Sequence, residues 1–150
     1  MRAMSEIVGL PVIVDGDCIG HVLCAEPDEL LRQINAVWMT SGRMGSRRID
    51  RTQIRQIGDI AVHAHSKGEK GSPAASRIFH RAVSTDGSRL GAAVDADFDD
   101  SMDICALWLT HGYPDDLLTG RRRITRYSVR PSDGCVLVPS GEEEEPRTME

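Results

Sequence analysis

Short apolar runs separated by glycine- and aspartate-containing turns make up most of the chain. Leu10–Val14 is apolar and rich in β-branched residues, and Asp15-Gly16 directly after it is typical of a tight hairpin turn. Residues 34–40 carry apolar side chains on both faces of an alternating pattern, which is typical of a central strand. Helical periodicity is confined to two short turns, at 28–33 and 114–118. The pattern predicts an all-β protein.

The chain also repeats itself in blocks that recur in the same order, about 70 to 75 residues apart. The second block of each copy holds one of the two tryptophans. The paired blocks are DGDCIGHV (15–22) with DGSRLGAA (86–93), AVWMTSG (36–42) with ALWLTHG (106–112), RRIDR (47–51) with RRITR (122–126), Ile54-Arg55 with Val129-Arg130, and 60–62 with 135–137. The order and spacing predict an internal duplication.

The duplication predicts the domain organisation. Repeat 1 covers 1–65, a polar Gly/Ser/Pro linker covers 66–76, and repeat 2 covers 77–140. Gly20 and Gly91 interrupt strand patterns, which favours a bulge or a close backbone approach at a bend. A unit of about 60 residues is marginally stable alone because it buries a small fraction of its surface. We therefore expect two small β-barrels packed as a pseudo-twofold pair.

The duplicated motifs resemble those of the PRC-barrel family, which includes the photosynthetic reaction-centre H subunit and the C-terminal domain of a ribosome-maturation factor. The resembling stretches are DGDCIGHV and DGSRLGAAVDADFD, AVWMTSG and ALWLTHG, and IRQIGDIAVHA and VRPSDGCVLVP. Two departures are Cys24, where repeat 2 has Asp95, and Ser132-Asp133 in place of Ile57-Gly58. The resemblance implies six-stranded barrels that serve as non-catalytic adaptor modules, and it carries over no catalytic residue and no cofactor.

Charge is distributed unevenly. The net charge is −5, and 142–150 alone contains five Glu and one Arg. The segment 141–150 has almost no apolar content, so we predict a disordered acidic tail, with an interaction tail as the alternative. No apolar run approaches the ~20 residues of a membrane-spanning helix, and no secretory signal is evident. The four cysteines are then expected to be reduced thiols in the cytoplasm.

Three groups of possible metal ligands each lack part of a site. Strand alternation places His21 opposite the two cysteines of its group, the EF-hand-like run lacks the required Gly and Glu, and the histidine pair has no counterpart in repeat 2. We predict no metal and no other cofactor, and leave open a weak cation at the aspartate run. The groups are Cys18/His21/Cys24, Asp95/Asp97/Asp99 with Asp103, and His63/His65.

Six arginines form the candidate partner-binding set: Arg48, Arg51 and Arg55, aligned with Arg123, Arg126 and Arg130. Planar guanidinium groups suit carboxylates and phosphates, so two related basic bands could bind a partner. The alternative is a set of surface arginines paired with nearby carboxylates such as Asp50 and Asp59.

These observations predict a cytoplasmic, non-enzymatic scaffold or adaptor that binds a protein partner, with a homodimer as a further expectation. The alternative is an RNA- or ribosome-associated maturation factor that uses the arginine bands. RNA ranks lower because aromatic residues, at 4%, offer little for base stacking. A metal-dependent enzyme ranks lowest, since the sequence has no phosphate-binding glycine loop and no nucleophile elbow.

Overall fold

The computed structural model describes residues 1–73, 80–111 and 120–139, and these residues form short strands joined by turns. The fold is all-β, as the sequence pattern predicts. Repeat 1 contains β1 (Arg2–Ala3), β2 (Pro11–Val14), β3 (Asp17–Pro27), β4 (Ile34–Ser41), β5 (Gly45–Asp50), β6 (Ile54–Ile57) and β7 (Val62–Ala64), and β8 (Glu69–Lys70) follows it. Repeat 2 contains β9 (His80–Ser84), β10 (Arg89–Phe98), β11 (Ile104–Thr110), β12 (Arg122–Ile124), β13 (Ser128–Val129) and β14 (Val136–Val138). Two 3₁₀ turns cover Met4–Ile7 and Arg51–Gln53.

The strands form two curled, half-barrel sheets with the same internal order. The first sheet runs β6-β7-β2-β3-β4-β5-β8, and the second runs β13-β14-β9-β10-β11-β12, with β1 added on β10. In both sheets the closing strand lies parallel to the leading one, β7 to β2 and β14 to β9. The repeated sequence therefore folds into two matching barrel-like units.

The irregularities of the sheets recur at equivalent places. The hairpins β2–β3 and β9–β10 each have a bulge immediately before a glycine, Gly20 in one and Gly91 in the other. A Cβ atom on Gly20 would lie 2.5 Å from the Thr40 carbonyl oxygen, and one on Gly91 would lie 2.1 Å from that of Thr110. The predicted bulge and close approach are thus confirmed in both repeats.

The strand register corrects the last part of the sequence alignment. Ile57 pairs with Val62, and Val129 pairs with Val136, so Ile57 and Val129 are equivalent positions in the two repeats. Gly58, which follows Ile57, is therefore equivalent to Arg130, which follows Val129. The alignments of Ile54-Arg55 with Val129-Arg130 and of 60–62 with 135–137 are therefore wrong, and Val129-Arg130, not Ser132-Asp133, takes the place of Ile57-Gly58. The physical reason is that repeat 2 reaches its β13–β14 ladder directly, whereas repeat 1 first inserts the 3₁₀ turn Arg51–Gln53.

Equivalent loops of the two repeats exchange backbone hydrogen bonds. The Ile34 amide donates to the Met102 carbonyl at 2.8 Å, and the Ile104 amide donates to the Arg32 carbonyl at the same distance. Leu31 and Met102 occupy matching left-handed positions, with φ of 54° and 64°. This reciprocal exchange is the contact pattern that a pseudo-twofold axis produces.

Most of the buried apolar residues of both repeats belong to a single cluster. Ile34 and Val37 of repeat 1 are fully buried, as are Leu107 and Leu109 of repeat 2. One shared core supplies the apolar burial that a unit of about 60 residues could not supply alone.

Several sequence predictions fall outside the described residues. They are the turn at 114–118, most of the loop 112–120, residues 74–76 of the linker, and the acidic tail 141–150. Residues 28–33 form a non-helical turn, and 69–70 of the predicted linker form β8. Within the described part of the chain, no helix has the length and apolar character needed to cross a membrane.

Candidate functional site

A tryptophan, a carboxylate and an arginine meet on three adjacent strands of repeat 1. Trp38 on β4 lies directly opposite Arg48 on β5 in the strand register. The Trp38 indole Nε1 donates to Glu26 Oε1 on β3 at 3.1 Å. The Arg48 guanidinium donates to the same carboxylate, with NH2 2.6 Å from Oε2. One carboxylate therefore links β4 and β5 to β3.

Repeat 2 builds the same arrangement with a shorter acid. Trp108 lies opposite Arg123 in the register of β11 and β12. The Trp108 indole donates to Asp97 Oδ1 at 2.9 Å, and Arg123 Nε donates to Asp97 Oδ2 at 2.8 Å. We call Glu26/Trp38/Arg48 and Asp97/Trp108/Arg123 the two triads. Their recurrence means that the duplication preserved a side-chain cluster as well as a backbone.

The electrostatics of the first triad favour the charged forms. The hydrogen bond from Arg48 is the main cause that holds the pKa of Glu26 below its usual value, against the opposing effect of burial. The same bond raises the pKa of Arg48. A carboxylate whose oxygens already accept bonds from two donors is a structural tie and has little capacity left for acid–base chemistry.

The structure places the six predicted partner-binding arginines in different surroundings. Arg48 and Arg123 belong to the triads, and Arg48 also contacts Asp50, as the paired-arginine alternative predicts. Arg51 bonds across the repeat boundary, with its guanidinium donating to the carbonyls of Ser101 and Met102. The set is thus dispersed into separate contacts, and a role in partner binding stays a prediction.

The other three arginines of the set are exposed and differ in their surroundings. Arg130 forms a two-bond contact with Asp133, and that contact holds the pKa of Asp133 well below its usual value. Arg55 projects from β6, and Arg126 lies in the bend between β12 and β13. Asp59, expected to pair with this set, instead pairs with Arg2.

The outer edge of β5 carries a short added strand. β8 pairs with β5 so that Glu69 lies opposite Arg48 and Lys70 lies opposite Arg47. The Arg47 guanidinium donates to the carbonyls of Lys67 and Gly68, at 2.9 and 2.6 Å. The polar linker is therefore held along the sheet edge by its backbone.

Two linker glycines fit this edge closely. A Cβ atom on Gly68 would lie 2.1 Å from the Arg48 carbonyl oxygen, and one on Gly71 would lie 2.9 Å from the Trp38 ring. Gly68 also adopts a left-handed φ of 70°. Small residues at these positions allow the linker to lie flat against β5 and the first triad.

Each member of the aspartate run already has an internal partner. Asp95 accepts bonds from the Ser5 amide and hydroxyl, Asp97 belongs to the second triad, and Asp99 accepts the amides of Ser101 and Asp103. Across 1–73, 80–111 and 120–139, no three His, Cys, Asp or Glu side chains are grouped as a metal site requires. This includes Cys18/His21/Cys24 and His63/His65, and all four cysteines are free thiols.

Sequence reasoning missed Glu26 and considered Asp97 only as a possible cation ligand. A sequence signal was present, because an acidic residue precedes each repeated tryptophan at nearly the same spacing, and the register places each acid two residues after the position that pairs with the tryptophan. Arg47 and its counterpart Arg122 were also passed over, although they belong to the repeated RRI motif.

No known family model matches the chain, and no curated protein matches it significantly either. The resemblance to PRC-barrel proteins therefore stays a prediction.

Proposed function

We propose that the protein is a non-enzymatic adaptor that binds an extended, acidic segment of a partner protein along the outer edge of β12. The single observation that carries this proposal is the strand β8 laid on β5, the equivalent edge of repeat 1. The chain thereby supplies its own example of the kind of segment that such an edge accepts.

The two edges have matching chemistry. Arg122 and Arg123 stand at the positions of Arg47 and Arg48, opposite the second repeated tryptophan and its neighbour. Arg122 is exposed, whereas Arg47 is half-buried because its guanidinium donates to carbonyls of the linker backbone. No described strand pairs with the outer side of β12. An unpaired strand edge offers backbone donors and acceptors to an added strand.

Charge indicates which kind of segment would fit. Arg122 and Arg123 are fixed positive charges on the edge; in repeat 1, Glu69 lies opposite Arg48, the counterpart of Arg123, and Lys70 lies opposite Arg47, the counterpart of Arg122. A segment with carboxylates at both registers would gain charge-assisted hydrogen bonds. A glycine two residues after the position of Glu69 would match Gly71 over its tryptophan. The preferred ligand is therefore an extended acidic peptide with a Gly-Glu-Glu-Gly pattern, which is 68–71 with a carboxylate in place of Lys70.

The test uses a fluorescein-labelled peptide with the sequence of residues 66–73 in which Lys67 and Lys70 are replaced by Glu, and measures its anisotropy with the full chain. We expect saturable binding in the range of roughly 10 to 500 μM, typical of small strand-addition contacts. Arg122→Glu should weaken binding about tenfold, and Arg43→Glu, at an exposed position between β4 and β5, is the matched control in repeat 1. Equal effects of the two substitutions, or no binding, would overturn the proposal.

A chain ending at residue 139 keeps every described strand. Comparing it with the full chain distinguishes a partner segment from the chain's own tail as the occupant of the β12 edge. Binding by both chains supports a partner segment. Binding only after removal of 140–150 would identify the tail as the occupant and would contradict the partner proposal. The RNA alternative is tested in the same assay, because Arg122-dependent displacement of the peptide by polyuridylate would favour it over a protein partner.

A further inference from the structure

A cavity of about 440 Å³ in repeat 2 is lined by three arginines and a histidine. Arg81 of β9, Arg89 of β10, His111 after β11 and Arg130 after β13 contribute to its wall. The buried Cys135 and the close-packed Gly91 complete the part of the lining that matters here. The cavity therefore combines an apolar strand floor with a rim of three guanidinium groups and an imidazole.

Repeat 1 provides an internal comparison, because the strand registers identify the equivalent positions. Arg81 is equivalent to Pro11, because Arg81 pairs with Ala92 as Pro11 pairs with His21. Arg89 is equivalent to Cys18, because Arg89 pairs with Val83 as Cys18 pairs with Ile13. His111 follows β11 where Ser41 ends β4, and Arg130 takes the place of Gly58. All four basic residues thus have counterparts that are neither arginine nor histidine, while the glycine at the bulge is shared.

The charge on this cavity is only partly neutralised. Asp133 engages Arg130 through two hydrogen bonds, of 2.9 and 2.5 Å, and fixes the orientation of that guanidinium. Arg81 and Arg89 are exposed and form no ion pair with a described residue. The rim therefore keeps an excess of about two positive charges, counted as three arginines against one aspartate.

We propose that this cavity is a binding site for a phosphate group, carried by a small phosphate ester or present as inorganic phosphate. Phosphate presents at least three strong acceptor oxygens and a charge near −2, which matches several converging guanidinium groups better than a single carboxylate does. A volume of about 440 Å³ leaves room for a small organic group beyond the phosphate. The site is separate from the β12 edge and does not depend on the proposed adaptor function.

Calorimetric titration of the full chain with inorganic phosphate, glycerol 3-phosphate and succinate tests the site. We expect both phosphates to bind with dissociation constants on the order of 0.1–5 mM, and succinate to bind at least about fivefold more weakly. Tighter binding of the ester than of the free ion would indicate that the cavity beyond the arginines is used. Absence of saturable phosphate binding, or a preference for succinate, would overturn the proposal.

Arg81→Gln and Arg89→Gln should each reduce phosphate affinity about fivefold to tenfold, because each removes a charge-assisted contact. Arg43→Gln, at an exposed position between β4 and β5 of repeat 1, is the matched control and should leave affinity unchanged. Because these positions are exposed, the substitutions should leave the fold intact, and an unchanged thermal unfolding midpoint of the ligand-free variants checks this. An equal loss in all three variants would show a general charge effect and contradict a defined site.

Discussion

The two repeats share a backbone plan down to their bulges, yet they differ at their surfaces. Both hold a triad across three strands, and both send a left-handed loop residue across the pseudo-twofold axis. Among the described residues, the linker lays a strand on the outer edge of β5 in repeat 1 and none pairs with the equivalent edge in repeat 2, while the arginine-lined cavity of repeat 2 has neutral residues at the equivalent positions of repeat 1. The comparison indicates that burial and register constrain a duplicated unit more strongly than exposed positions do.

The contacts across the axis show how one geometry can be built from different side chains. The Met102 carbonyl accepts a bond from Arg51, whereas the equivalent Leu31 carbonyl accepts one from the Tyr127 hydroxyl. Arg32 also lies over the Tyr127 ring, 5.2 Å from its centroid. What the fold requires is a donor for each carbonyl at the crossing, and the residue type is secondary.

The largest expected effect is the loss of unfolding free energy on replacing Trp38, which should exceed the loss on replacing Trp108. Trp38 is 7% exposed and lies beneath the linker, whereas Trp108 is only half-buried. Trp38→Ala should lower the free energy of unfolding by about 3–5 kcal/mol, the range for a buried aromatic residue, and Trp108→Ala by less. Urea unfolding monitored by circular dichroism measures both, and a larger loss for Trp108 would contradict the proposed difference in packing.

The next effect concerns the glycine of the hairpin bulge. Gly91→Ala introduces both a left-handed alanine, at φ 94°, and a Cβ in contact with a backbone carbonyl. We expect a loss of about 2–4 kcal/mol in the free energy of unfolding. Gly87→Ala, at φ 92° in open space, isolates the cost of the backbone angle, and Gly20→Ala isolates the steric contact. If Gly87→Ala costs as much as Gly91→Ala, close approach is not the cause.

A smaller effect is expected at the crossing of the repeats. Tyr127→Phe leaves the Leu31 carbonyl without its side-chain donor and should cost about 1–2 kcal/mol in unfolding free energy. Arg51→Ala removes the side-chain donor to Met102, whose carbonyl keeps the Ile34 amide, and also the bond to the Ser101 carbonyl, so it should cost about 1 kcal/mol. Urea unfolding of the two single variants and the double variant measures this. Strictly additive losses would indicate that the two sides of the crossing act independently.

The smallest effect is a pH dependence in the first triad. Because the pKa of folded Glu26 lies below its ordinary value of 4.5, the Arg48 contact contributes fully above that pH and is lost as the pH falls through the folded value. Glu26→Gln should lower the unfolding free energy by about 1 kcal/mol near pH 7. The difference from the unsubstituted chain should shrink as the pH falls below 4.5.

Urea titrations at a series of pH values measure that difference. The exposed Glu29→Gln is the matched control, and it should show no such pH-dependent gap. A gap that stays constant down to about pH 3 would mean that Glu26 is not held in its charged form by Arg48.

Much of the fold could be predicted from local pattern. Alternation and Asp-Gly turns indicate strands, the repeated blocks indicate duplication, and Gly20 and Gly91 indicate a bulge. The alignment failed at Arg55 and Arg130, because an arginine after an aliphatic residue carries little information and the repeats differ in length just before it. The candidate site was predicted in part: Arg48 and Arg123 were selected, but their carboxylate partners were not.

The all-β character, the duplication and the positions of the paired tryptophans follow from the sequence alone, since each depends on residues close together in the chain. The closing of the triads by Glu26 and Asp97, the path of the linker along β5, and the gathering of three arginines and a histidine around one cavity follow from the folded structure. These contacts join residues up to tens of positions apart, so they depend on strand register and curvature, which local periodicity does not encode.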